Sequence, residues 1–200
     1  MRLSVVWLDE LERDADMATS ERDKMAAGEW YNCVDAELDL LRLAAANAIF
    51  EHNSLPPSSR GDIAPALRDL LGAAGAGCRI EAPFHCAYGF NIHLGEGVFL
   101  NAGCTILDTA PVRIGDGTMF GPGVQIYCPE HHKDPVLRRA GLEIGRPVAI
   151  GRNVWIGGSA ILLGGVEIGD NAIVGAGSVV TKSVAAGATV VGNPARPLAR

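Results

Sequence analysis

The chain's 200 residues are enough for one or two domains with a sizeable core, and an apolar share of 48% sets it apart from disordered and membrane-embedded chains. A net charge of −6, with no Lys/Arg cluster, argues against a nucleic-acid partner. No stretch approaches the roughly 18–20 apolar residues of a membrane span, and the short Leu3–Leu8 run is followed at once by acidic residues, unlike a signal-peptide core.

Taken in chain order, residues 1–16 read as an extension, an upstream start or a cloning remnant, with Met17 opening the chain proper. Residues 17–77 read as a small helical segment. Between Ser20 and roughly His52 a polar turn is broken by Gly28, after which Val34, Leu38, Leu41, Ala45, Ala48 and Ile49 follow at helical steps. Pro56-Pro57 cannot continue that helix. A second helix is predicted from about Asp62 to Leu71, with Gly72 as its stop. A cap this small is expected to pack against something larger rather than fold alone.

From residue 78 to residue 200 the rhythm changes to six. Ile80, Cys86, Ile92, Val98 and Cys104 open it, two extra residues bulge out around Asp108–Ala110, and it resumes at Val112, Thr118 and Val124. The charged segment 130–146 interrupts it again and reads as a loop thrown out from the coil. Beyond that the beat is clean. Ile150, Ile156, Leu162, Ile168, Val174 and Val180 form one series; Val148, Val154, Ala160, Val166, Ala172, Ser178, Val184 and Val190 form a second, two positions earlier. Six is not a helical period, which lies near 3.6, and no single strand runs for forty residues. A short fixed period with regular glycines is the mark of a β-solenoid, in which three hexapeptides make one triangular coil. Abundant glycine (25 residues) and few aromatics suit its narrow corners. The five cysteines, Cys33, Cys78, Cys86, Cys104 and Cys128, lack CxxC spacing. They read as free thiols in a reducing compartment, so the expected location is cytoplasmic.

Three segments of the clean repeat resemble the hexapeptide-repeat acyltransferases: Ile150-Gly-Arg-Asn-Val-Trp-Ile-Gly-Gly-Ser159, Gly165-Val-Glu-Ile-Gly-Asp-Asn171 and Val174-Gly-Ala-Gly-Ser-Val-Val-Thr-Lys182. Lys24-Met-Ala-Ala-Gly-Glu-Trp-Tyr31, Tyr88-Gly-Phe-Asn-Ile-His-Leu-Gly95, Asn101, Ile106-Leu-Asp108 and Gly192-Asn-Pro-Ala-Arg196 narrow the resemblance to the maltose, galactoside and nodulation O-acetyltransferases. It implies a mainly β protein, a left-handed parallel β-helix with a small N-terminal helical segment. The left hand comes from the resemblance alone, since parallel crossovers are generally right-handed. It also implies a homotrimer with acetyl-CoA bound between subunits. A hydroxyl of a small acceptor, a sugar or related molecule, is then acetylated directly, without a covalent acyl-enzyme and with no metal required.

Within that resemblance His131 is the catalytic candidate. The family's histidine stands three residues before Asp-Pro-Val, and Asp134-Pro-Val136 selects His131 over its neighbour His132. Histidine, with an ordinary pKa near ~6.5, can take a hydroxyl proton around neutrality. Asn101 and Asp108 match acceptor-binding positions, and the bulge at Asp108 offers a way to re-aim its side chain. The family's acceptor carboxylate in the N-terminal segment falls at about Cys33, and a second one in the galactoside branch falls at Thr109. For acetyl-CoA the matching positions are Gly158, Ala176, Thr181, Lys182 and Arg196, with small residues beside the pantetheine arm and cations for the phosphates. Trp155 lies on the outward phase of the repeat, as a groove wall or a trimer contact. Two other functions compete. A zinc hydratase of the carbonic anhydrase type needs three histidines on one metal, and the His pair spaced on one coil is absent. A non-catalytic solenoid scaffold would lack both the histidine loop and the terminal basic residues.

Overall fold

The computed structural model describes residues 19–198, so the reading of residues 1–16 as an extension lies outside the described residues. Helix α1 (Glu21–Ala27) begins where the Ser20 hydroxyl accepts from the Asp23 amide and ends at Gly28, whose φ of 72° is the left-handed stop expected of glycine. After a short strand, Tyr31–Asn32, helix α2 (Ala36–Ser54) is capped by Asp35, which accepts from the Leu38 amide. Leu38, Ala45, Ala48, Ile49 and His52 form its buried face. Val34 is not part of it: this residue precedes the cap and is 72% exposed. Proline sets both later starts. It stands in the first turn of α3 (Pro57–Arg60) and of α4 (Pro65–Leu70), which is shorter than the predicted 62–71 helix.

The rest is a β-solenoid of about six turns. One parallel sheet contains Ala73–Ala74, Ile92–Leu94, Val112–Ile114, Val148–Ile150 and Glu167–Ile168. The second contains His85–Cys86, Thr105–Leu107, Gln125–Tyr127, Ile161–Leu163 and Val179–Val180. The third runs through Arg79–Ile80, Phe99–Leu100, Met119–Phe120, Trp155–Ile156, Ile173–Val174 and Thr189–Val191, with Arg196–Pro197 added antiparallel. The coil therefore begins at Ala73, earlier than residue 78.

The six-residue beat visits these three sheets in rotation, so every third beat stacks. Ile114, Ile150 and Ile168 are in register in the first sheet; Ile126, Leu162 and Val180 in the second; Phe120, Ile156 and Val174 in the third, where Val190 joins them two residues short of the beat. All are buried, and each such side chain contributes on the order of 1.5–3 kcal/mol. Coils this close leave no room at the corners. A Cβ on Gly157 would stand 2.5 Å from the Ala176 nitrogen.

The outward faces differ. The first sheet shows solvent His93, Arg113, Ala149 and Glu167, whereas the third shows a column of Phe99, Met119, Trp155 and Ile173. Segment 130–146 is not an open loop. Pro129–His131 and Leu142–Gly145 pair antiparallel, joined through α5 (Pro135–Arg139), whose first turn is capped by Asp134. Tyr31–Asn32 adds a third strand to this sheet.

Candidate active site

Cross-strand register assembles the site. Tyr31 faces Glu143 and Glu143 faces His131 across the three-stranded sheet, so the three side chains share one side of it. Glu143 is buried, and its Oε1 accepts a hydrogen bond from the Tyr31 hydroxyl. Its Oε2 stands 3.5 Å from His131 Nε2, while the His131 side chain is 55% exposed. Burial, and then Glu143, pushes the Tyr31 phenol well above its ordinary range, so it remains a proton donor to the carboxylate. His132 points elsewhere. Its ring packs on Trp30 with centroids 4.8 Å apart, and its Nδ1 accepts from the Asp134 amide.

Two cavities meet at His131, sharing Leu107, Pro129 and His131 as walls. One, of about 710 Å³, continues past Arg146 and Leu163 to Thr181. The other, of about 390 Å³, is closed by Cys33, Arg42, Tyr88, Thr109 and Glu143. Arg42 is fixed there by hydrogen bonds to the Tyr88 hydroxyl, the Cys33 carbonyl and Asp39. Thr109 is buried in the wall of this cavity. A third cavity, of about 350 Å³, lies between Lys182 and Arg196 at the last coil.

Comparison with known proteins gives this arrangement a family. Residues 147–182 match the model of the bacterial transferase hexapeptide (six repeats), and residues 24–75 that of the maltose acetyltransferase hexapeptide capping motif. Nodulation protein L of Rhizobium meliloti (strain 1021) is 52% identical over 90% of this chain and 98% of its own. The chain belongs to the hexapeptide-repeat acetyltransferases. Among solved structures, a maltose O-acetyltransferase from Clostridium difficile 630 superposes with a TM-score of 0.88 at 40% identity, covering 92% of this chain and 98% of that one. A hexapeptide-repeat acetyltransferase of Vibrio cholerae O1 biovar eltor, complexed with acetyl-coenzyme A, gives 0.82 at 36%, covering 90% and 97%.

Within this acetyltransferase the residues singled out by sequence divide between two corners of the coil. Thr181 lines the larger cavity with His131, on the corner that leaves the second sheet. Lys182 follows it and shares the terminal cavity with Arg196. Asn101, Gly158 and Ala176 occupy the preceding corner, between the third and second sheets, where Gly121 and Gly157 stack against Gly158 and Ala176. Asn101 spends its side-chain oxygen on the Ala102 amide. Asp108, expected to meet the acceptor, is 0% exposed. Its two oxygens accept from the amides of Ala87, Tyr88, Gly89 and Asn91, and burial pushes its carboxyl up to about 6 against their pull. The bulge turns this carboxylate inward, where it holds the 87–91 turn in place. Glu143, Tyr31, Arg42 and Thr109 were not marked as binding groups by sequence. Thr109 stands where the galactoside branch has an acceptor carboxylate, and Tyr31 closes one of the quoted motifs.

Proposed function

We propose that this O-acetyltransferase moves the acetyl group of acetyl-coenzyme A to a hydroxyl of a sugar-like acceptor by direct attack, with His131 as general base. The observation that carries the reading is the position of His131 at the junction of the two cavities, with Glu143 behind it. The acceptor lies in the cavity of Arg42, Thr109 and Tyr88, its hydroxyl donating to His131 Nε2. The thioester arrives through the cavity that runs to Thr181. As the acceptor oxygen attacks the carbonyl carbon, the proton passes to His131; when the C–S bond breaks, the same proton is available to the departing thiolate. Glu143, whose Oε2 lies 3.5 Å from His131 Nε2, balances the charge the imidazole acquires, and Tyr31 holds Glu143. Lys182 and Arg196 receive the coenzyme phosphates. The acetyl-coenzyme A complex of the Vibrio relative supports the donor, and the maltose O-acetyltransferase of Clostridium supports the acceptor class.

The working unit on this reading is a homotrimer. Its support is the apolar column of Phe99, Met119, Trp155 and Ile173, which flanks the corner carrying Asn101, Gly158 and Ala176. Docking a neighbour there brings that corner to the neighbour's His131.

The test is His131→Ala against His132→Ala, each assayed for thiol release from acetyl-coenzyme A with a panel of sugars. The base is worth on the order of 10²–10⁴ in rate, so His131→Ala loses at least a hundredfold and His132→Ala keeps most of its activity. The reverse pattern overturns the assignment.

A further inference from the structure

The smaller cavity holds a group of side chains that acetyl transfer does not need in that combination. Cys33, His131 and Glu143 each turn one ligand atom to the same point, and these atoms lie within 4.8 Å of one another. Cys33 lies in the bend directly after the strand Tyr31–Asn32, its amide donating to the Gly141 carbonyl, and it lines the same cavity as His131 and Glu143. Sulfur, imidazole nitrogen and carboxylate oxygen form a mixed set suited to zinc, with bonds of about 2.3, 2.0 and 2.0–2.2 Å.

We propose that Cys33, His131 and Glu143 form an inhibitory site for a zinc ion, in which the metal takes the catalytic imidazole out of service. Tetrahedral bonding at those lengths asks for ligand atoms about 3.3–3.7 Å apart. His131 and Glu143 already stand at 3.5 Å, so closure of about 1 Å by the Cys33 and His131 side chains completes the set. His131 is free to make that movement, being half-exposed. The Glu143 oxygen turned away from His131 already accepts from Tyr31, the outer partner that well-made metal sites give their carboxylates. The fourth position opens into the cavity, where water can occupy it. The site differs from a catalytic zinc centre in consequence, because the imidazole nitrogen that binds metal is the one that faces the acceptor. Cys33 is also the one half-exposed cysteine; Cys78, Cys86, Cys104 and Cys128 are buried. A metal–sulfur signal is therefore assignable to it.

The inhibitory part rests on His131 being the base, and the binding part does not, so the two are measured separately. Chelator-treated, desalted protein is titrated with zinc chloride, and in parallel with cobalt chloride. The expected result is one zinc per chain and, with cobalt, a near-ultraviolet sulfur-to-metal charge-transfer band. Cys33→Ser abolishes that band, and Tyr31→Phe weakens zinc binding by roughly 10–100-fold. Thermal melts without metal establish that each variant is folded; should Cys33→Ser fail to fold, Cys33→Ala makes the same comparison. Absence of the band, or zinc affinity unchanged in the Cys33 variant, overturns the site. Acetyltransferase activity should fall in step with zinc occupancy and return with chelator. Zinc bound in the cavity with full activity would leave the site standing, and it would overturn both the inhibition and the role of His131.

Discussion

If His131 is the base, Glu143 is the residue on which its chemistry depends. It bridges Tyr31 and His131, with one oxygen for each, and is itself buried. Glu143→Gln keeps the shape and loses the charge, so the cation that the imidazole becomes is uncompensated. We expect kcat to fall roughly tenfold or more, a rise of about 1.4 kcal/mol in the barrier, with KM for acetyl-coenzyme A unchanged. Steady-state kinetics on the purified variant checks this, and a wild-type kcat would remove Glu143 from the mechanism. The sequence made His131 visible, because its motif is local. Glu143 was not visible as its partner, because their meeting depends on an antiparallel register, and Tyr31 reaches the same carboxylate from 112 positions away. Asp108 was visible as unusual, but the inward direction of its side chain was not. A bulge can aim a side chain outward or inward, and the amides of Tyr88, Gly89 and Asn91, left over at the 87–91 turn, decide for inward.

At the scale of the element, the coil was legible and the appended sheet was not, for one reason. A hexapeptide repeats its burial demand at every turn of the helix, so the pattern accumulates across the chain. Strands such as Pro129–His131 and Tyr31–Asn32 are two or three residues long and carry no period at all. The same tight stacking makes a sharp prediction at the corners. Gly157 needs no unusual φ, yet a Cβ there would meet backbone atoms of Gly175 and Ala176 at 2.9 and 2.5 Å. Backbone cannot swing aside as a side chain can, so Gly157→Ala should destabilise the protein by about 1–3 kcal/mol. Urea denaturation at one fixed subunit concentration measures it, since an oligomer's stability depends on concentration. An unchanged midpoint would mean that neighbouring coils can spread apart.

The whole molecule adds what neither scale contains if, as the proposed homotrimer has it, a complete site draws on two chains. His131 and Thr181 lie at one corner of the triangle; Asn101, Gly158 and Ala176 lie at another, across the width of the second sheet. If neighbouring subunits join these corners, two defective variants can repair each other. Chains carrying His131→Ala still offer a sound Asn101 corner, and chains carrying Asn101→Ala still offer a sound His131 corner. Neither homotrimer has an intact site. In trimers reassembled at random from an equal mixture, a site is intact only when its base comes from the second kind of chain and its Asn101 from the first. The chance is about one half for each, so roughly a quarter of wild-type activity should return. Mild denaturation and joint refolding, with separately refolded controls, measures the recovery. Activity that stays at the level of the two parents would place the whole site within one chain and would remove the reason for the apolar column to bring these corners together.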